Sequence, residues 1–237
     1  MNSLARKKTK MKNEIKINYQ NRLPHIAPIG ATFFVTFRLH DSLPRPVVES
    51  LRERMNRAIE QLKKDKPPDY QEKIKNQRKL FFKHYDQQLD RKPYGECYLR
   101  KPAVAKIVAD KLHELDGDKY DLITYCIMSN HVHVLFDTSK QLVDENNFFL
   151  PEVPEDYTQL HQIMKLIKGA TAYAANRLLG RKGAFWQKDS YDHYVRNEKE
   201  FWNIVYYILR NPVKAGMVAE WKDFPYSYLK REFGELV

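Results

Sequence analysis

Residues 119–137 read KYDLITYCIMSNHVHVLFD. Two apolar runs, Lys119–Met128 and Val132–Asp137, flank the short link Ser129-Asn130, which is the pattern of two strands joined by a tight turn. Side chains alternate along a strand. His131, His133 and Leu135 therefore leave one face, while Val132, Val134 and Phe136 enter a core on the other. Two imidazoles at this spacing can reach one ion. Imidazole suits borderline divalent metals, and an added oxygen ligand with open positions admits Mg²⁺ or Mn²⁺. In a chain with eight histidines, the pair taken alone is more often surface or core decoration.

Working outward, Ala31–Leu39 alternates cleanly, with Phe33, Val35, Phe37 and Leu39 on one side and Thr32, Phe34, Thr36 and Arg38 on the other. This predicts a half-buried first strand. A helix over Val47–Lys63 follows Pro44 and Pro46. Residues 64–100 are rich in charge and open on a proline pair, and they read as a helical insertion anchored by Phe81, Phe82 and Tyr85. A helix runs from Pro102 to a stop at Asp116-Gly117. Beyond the strand pair, a long helix over Tyr157–Leu179 carries the apolar stripe Leu160, Ile163, Met164, Ile167, Thr171, Ala174 and Leu178. Lys165 and Lys168 lie on its polar side.

Ala184–Val195 reads as a fourth strand. The last helix starts at Asn197, with Glu200 completing a capping box, and is expected to close at Arg210 before Asn211-Pro212. The order strand, helix, strand, strand, helix, strand, helix is that of an α+β chain with a ferredoxin-like antiparallel sheet, helices on one face and an added C-terminal helix. Residues 1–22 are expected to be a basic flexible arm. Residues 23–237 would form a single domain, interrupted by the insertion.

The chain has 237 residues, enough to bury roughly 70–75% of its unfolded surface without disulfides. Cys97 and Cys126 form no CxxC pair, so a reduced, cytoplasmic setting is expected and a cysteine zinc site is not. No apolar run is long enough to span a membrane. With 41 Lys+Arg against 30 Asp+Glu the formal charge is +11, and aromatic residues make up 13%. Cations release counterions from a polyanion, and exposed rings stack on unpaired bases. A nucleic-acid partner is the expectation.

On the last helix, Phe201, Ile204, Val205 and Ile208 form the buried stripe. Tyr207 lies about 110° from its centre at 100° per residue. Asn211 follows one turn later on the same side, placed to offer an oxygen ligand from its side-chain carbonyl. A phenol that attacks a phosphodiester must be reachable and must be activated, since its ordinary pKa is about 10. A metal polarising the phosphate lowers that demand. On pattern alone Tyr207 reads more readily as a half-buried flank ring.

Four motifs together resemble the single-tyrosine HUH transposases, in their REP-associated tyrosine transposase branch. They are His131-Val132-His133 within MSNHVHVLF; Phe185-Trp186-Gln187 followed by Tyr191-Asp192-His193 and Val195-Arg196-Asn197; Tyr207 through Gly216, YILRNPVKAG; and Trp221 through Tyr228, WKDFPYSY. They cover most of residues 23–228 in the family's order. The resemblance implies that Tyr207 is the nucleophile, forming a 5′-phosphotyrosine link and freeing a 3′-hydroxyl. It implies His131 and His133 as metal ligands for Mg²⁺ or Mn²⁺, with Asn211 at the helix-borne third ligand position, where many relatives carry Gln. The implied partner is a REP-type hairpin in single-stranded DNA. Arg38, Lys165, Lys168, Trp186 and Gln187 are the side chains expected to meet it. Ser129 departs from the family, whose members more often have Pro there, and the shortest members lack the insertion. Relatives include dimers with sites built across two chains as well as monomers, which leaves a homodimer open.

Two other readings compete. A domesticated, non-catalytic single-stranded nucleic-acid-binding protein would share the charge and the rings without needing Tyr207, His131, His133 and Asn211 together. A metal-dependent nuclease using water ranks below it, because no acidic cluster flanks the histidines in the sequence.

Overall fold

The computed structural model describes residues 16–20, 24–91 and 94–236. Within the stretch expected to be an arm, Lys16–Gln20 (β1) is a strand paired antiparallel with Pro24–Pro28 (β2). Its alternating sequence, KINYQ, suits an extended chain. The rest of that arm lies outside the described residues.

Five strands form the main sheet: Thr32–Arg38 (β3), Asp121–Ile127 (β4), His131–Asp137 (β5), Tyr191–Tyr194 (β6) and Ser227–Leu229 (β7). They lie in the order β6-β3-β5-β4-β7, each antiparallel to its neighbour. The helices are Arg45–Asp65 (α1), Tyr70–Arg91 (α2), Pro102–Glu114 (α3), Leu160–Leu178 (α4) and Glu198–Lys214 (α5). With α1 and α2 set aside, β3-α3-β4-β5-α4-β6 is the ferredoxin-like arrangement, the fourth strand beside the first and the third between the first two. The helix of the expected 64–100 insertion, α2, packs on α1, and together these two helices stand outside the ferredoxin-like arrangement, so the inserted part begins before residue 64.

All seven residues of β5 are buried, because both faces of the sheet are covered. On one face, Val104, Val108 and Leu112 of α3 and Ile163, Ile167 and Ala175 of α4 pack on Val35, Phe37, Val132, Val134 and Phe136. On the other, Val205, Ile208 and Leu209 of α5 pack on Phe34, Cys126 and Leu135. Phe82 of α2 closes that side, edge-on to Phe34 with ring centroids 5.4 Å apart. β3 therefore has no open face, where one was expected. Among the described residues, no helix is long and apolar enough to cross a membrane.

Three boundaries differ from the expectations, each for a local reason. α4 begins at Leu160 rather than Tyr157. Tyr157 is held outside the helix, its hydroxyl accepting from the amide of Gly30 (2.9 Å) and donating to Thr138 (3.1 Å). Gln159 then caps the helix with Gln162. The strand expected over Ala184–Val195 is reduced to Tyr191–Tyr194, with a single bridge between Trp186 and Leu39 before it. The Lys168 ammonium collects the carbonyls of Gln187 and Lys188 (both 2.7 Å) and the Ser190 hydroxyl (3.2 Å), which pulls that segment out of ladder geometry. Finally, α5 continues through Pro212 to Lys214. Asn211 and Pro212 are buried with Ile208 and Leu209, so packing holds the last turn despite the missing N–H. Gly216, at φ +67°, supplies the stop.

Candidate active site

β5 projects His131 and His133 from the face that α5 and α2 cover. Each ring is fixed by its Nδ1. His131 Nδ1 lies 2.7 Å from Asn130 Oδ1, and Asn130 is oriented by donating its amide N–H to the Leu89 carbonyl on α2 (3.2 Å). Since that oxygen can only accept, His131 carries its proton on Nδ1 and presents a bare Nε2. His133 Nδ1 is 2.7 Å from Thr36 Oγ1 on β3. The two Nε2 atoms face each other at 3.0 Å. Burial, reinforced by neighbouring His133, lowers the His131 pKa to about 3, so this imidazole is neutral at ordinary pH.

Asp86, on α2, is buried beside them with Oδ1 3.3 Å from His133 Nε2. One ligand atom from each of Asp86, His131 and His133 falls within 4.8 Å of the others. The other oxygen, Asp86 Oδ2, accepts the Tyr207 hydroxyl. Tyr207 also stands edge-on to His133, with ring centroids 5.4 Å apart, and to Phe34 at 5.8 Å. The phenol of the last helix, the paired imidazoles of the sheet and a carboxylate from the insertion thus converge within one chain.

The electrostatics match this geometry. Burial opposes ionisation of Asp86, but His133, His131 and the Tyr207 hydroxyl outweigh it and hold the carboxyl well below its usual range. Burial and the Asp86 charge push the Tyr207 phenol far above its ordinary value. Tyr207 is therefore a held, protonated phenol.

Asn211 is buried one turn along α5 and donates its amide N–H to the Tyr207 carbonyl (2.8 Å), while its Oδ1 has no hydrogen-bond partner. Asp86 Oδ1 likewise lacks a hydrogen bond. Unpaired buried oxygens are costly unless something not yet present completes them. Two imidazole nitrogens and one carboxylate form a donor set that suits a borderline or hard divalent ion. Two donors set at right angles on an octahedral ion at about 2.1 Å would be roughly 3.0 Å apart, close to the separation of the two Nε2 atoms. The residues fit a divalent metal.

Asp86 was not among the residues singled out in the sequence, and its presence removes the reason for ranking a water-using nuclease low. Two acids, Asp86 and Asp90, reach this face from α2; Asp90 is tied to Lys214 of α5 at 2.8 Å. A local sign exists. Phe82, Asp86 and Leu89 follow i, i+4, i+7, so a carboxylate stands on the buried stripe of an otherwise charged helix.

No family model matches the chain. It is 30% identical over 113 residues to a Haemophilus influenzae protein named "Putative REP-associated tyrosine transposase", covering 48% of this chain and 61% of that one. It is 26% identical over 130 residues to the Escherichia coli (strain K12) "REP-associated tyrosine transposase", covering 55% and 62%. The chain is similar to REP-associated tyrosine transposases. These matches span a little over three fifths of the relatives' lengths. A solved structure described as a REP-associated tyrosine transposase bound to a REP hairpin overlays 88% of this chain and 82% of its own, at 18% identity and a TM-score of 0.42.

The side chains expected from the sequence to meet DNA are placed unevenly. Lys165 is exposed on α4. Trp186 is buried; its Nε1 donates to Thr171 (2.9 Å) and its ring packs edge-on against Phe37 at 4.8 Å. That packing makes the ring part of the core. The Lys168 ammonium is committed to the 187–190 segment through three contacts, and burial lowers its pKa to about 8. Arg38 and Gln187 both line a cleft beside α1 and α2.

Proposed function

We propose that the protein cuts and rejoins single-stranded DNA beside hairpins, with Tyr207 as nucleophile. A divalent ion, Mg²⁺ or Mn²⁺, would be held by His131, His133 and Asp86, with the Asn211 side-chain oxygen as a further donor. The observation that carries this reading is the single carboxylate of Asp86, which touches both the nucleophile's hydroxyl and His133 of the imidazole pair. The relatives' names, transposases using tyrosine, point the same way.

When bound, the ion supplies charge neutralisation at the non-bridging oxygens of the scissile phosphate. Tyr207 Oη forms the new bond to phosphorus while the bond from phosphorus to the 3′ oxygen breaks. The proton lost by the phenol is balanced by the one gained at the leaving 3′-hydroxyl. In the arrangement seen here Asp86 orients the phenol rather than deprotonating it, because its carboxyl is shifted down and the phenol up. Rejoining is the reverse attack by a 3′-hydroxyl, and the phosphotyrosine conserves the bond energy.

The test is incubation with a labelled hairpin oligonucleotide and Mn²⁺, followed by a denaturing gel. A covalent adduct is expected with the natural protein and none with Tyr207→Phe. An adduct that survives that substitution moves the nucleophile elsewhere. Cleavage without any adduct, leaving free 5′-phosphates, favours the nuclease reading that Asp86 and Asp90 make plausible. Binding without cleavage or metal uptake favours the non-catalytic one.

A further inference from the structure

Beside the metal-type cluster, where the end of β3 meets α1 and α2, lies a cleft of about 330 Å³ lined by Arg38, Arg52, Phe81, Tyr85 and Gln187, among others. Two of its guanidinium groups, those of Arg38 and Arg52, form no ion pair with a carboxylate among the described residues. Arg38 is only 5% exposed, a depth at which a charge ordinarily has a partner. It donates to the Tyr85 hydroxyl (2.6 Å), to Ser42 (3.1 Å) and to its neighbour's carbonyl. Its ion lies 5.8 Å from the Tyr85 ring centre. None of these groups is an anion. The Arg52 Nε, on α1, is buried with no hydrogen-bond partner at all.

Around the same cleft stand three acids. Glu49 is tied to Arg45 at 2.6 Å and Asp41 to His40 at 2.7 Å. Asp189 is the cleft acid outside these two pairs, and neither Arg38 nor Arg52 forms an ion pair with it among the described residues. Buried cations without counter-ions are costly, and an arriving anion would remove the penalty.

The cleft's position says which anion. Arg38 pairs directly with His131 across the β3–β5 ladder, so the two side chains leave the same sheet face from Cα atoms about 4.5–5.5 Å apart. On α2, Tyr85 faces the cleft and Asp86, the next residue, faces the imidazoles. The two sites are neighbours sharing one wall.

We infer that this cleft is a subsite for the unpaired nucleotide next to the scissile phosphate, its phosphodiester group bound by Arg38 and Arg52. The inference rests on the proposed cleavage of single-stranded DNA, and it gives the insertion helices a second task. Arg52 supplies the unsatisfied Nε–H, Arg38 is braced by Tyr85 and Ser42, and Phe81 and Tyr85 form an aromatic wall with centroids 5.8 Å apart.

The experiment measures binding by fluorescence anisotropy in EDTA, where no cleavage occurs. The probes are fluorescein-labelled dT10 and a blunt-ended DNA hairpin with no unpaired flank. Arg52→Gln is expected to weaken dT10 binding about tenfold, as for loss of one charge-assisted contact. It should also flatten the salt dependence by about 0.7 in log–log slope. Arg52→Lys should recover part of the affinity, and hairpin binding should not change. Unaltered dT10 affinity, or an equal loss on both probes, overturns the inference. So does displacement of dT10 by micromolar dTMP, which would assign the cleft to free mononucleotides. Because neither metal nor Tyr207 enters this readout, absence of the covalent adduct would count against the proposed function and leave the cleft result standing.

Discussion

Asp86 bonds to a tyrosine 121 positions later in the chain and touches a histidine 47 positions later. Such a carboxylate has two effects that substitutions separate. Asp86→Asn keeps the size and an acceptor for Tyr207 but removes the charge. Mn²⁺ affinity by titration calorimetry is expected to fall tenfold or more, since even outer-shell losses commonly cost about 10–100-fold. Tyr207→Phe should leave Mn²⁺ affinity nearly intact. It should lower unfolding free energy in urea by roughly 1.5–3 kcal/mol, because it leaves a buried charged acceptor short of its donor. Equal Mn²⁺ affinity in Asp86→Asn and the natural protein would remove Asp86 from the ligand set. His131 adds a pH signature to the metal-free protein. Its pKa is about 3 when folded and about 6.5 when unfolded, so the unfolded chain takes up the proton first as pH falls. Its stabilising contribution is complete above pH 6.5 and is lost progressively toward pH 3. Between pH 6.5 and about 4, above the range where Asp86 titrates, His131→Gln should flatten the fall in urea midpoint.

The insertion helices tie residue chemistry to architecture. Leu89 of α2 is 2% exposed, and its carbonyl orients Asn130, which in turn fixes His131. Leu89→Ala is expected to cost about 2–5 kcal/mol in urea unfolding and to weaken Mn²⁺ binding. Leu80→Ala on the same helix, at a residue 43% exposed, should stay within about 0.5 kcal/mol. Equal effects would mean that α2 is only loosely docked. This element also marks the limit of what the sequence reveals. The alternation in 31–39 and 119–137 is a local signal of period two, and it is enough to recover the ferredoxin-like order and the shared face of His131 and His133. The same reading left β3 half-open, because the roof over Phe34 comes from Phe82 and Tyr207, far along the chain. It ran β6 too long because Lys168 competes for the strand's carbonyls from another helix. The 64–100 stretch was legible as helical but not as part of the site. Only the misplaced charge of Asp86 on an apolar stripe hinted at its role.

At the scale of the whole molecule, the formal +11 and the placement of its charges make different demands on the proposed DNA partner. Diffuse surface lysines such as Lys165 attract any phosphate backbone, whereas the Arg38–Arg52 cleft admits only a strand that can be fed between β3 and α1. Duplex DNA is too stiff and too wide to enter a space of about 330 Å³, so it can use only the diffuse part. A hairpin carrying an unpaired flank can use both. The affinity gap between a flanked and a blunt hairpin should therefore have its own salt response. For the blunt hairpin, log K should fall against log salt with slope about −0.9 for each phosphate neutralised, and the flank should add about −0.7 for each further contact on the single strand. Anisotropy titrations from about 50 to 200 mM salt read both slopes. A flanked hairpin whose slope is no steeper than the blunt one would show that the extra strand is not held by cations. With no flank contact in the cleft, the scissile phosphate would have no guide along the shared wall of Tyr85 and Asp86 toward Tyr207.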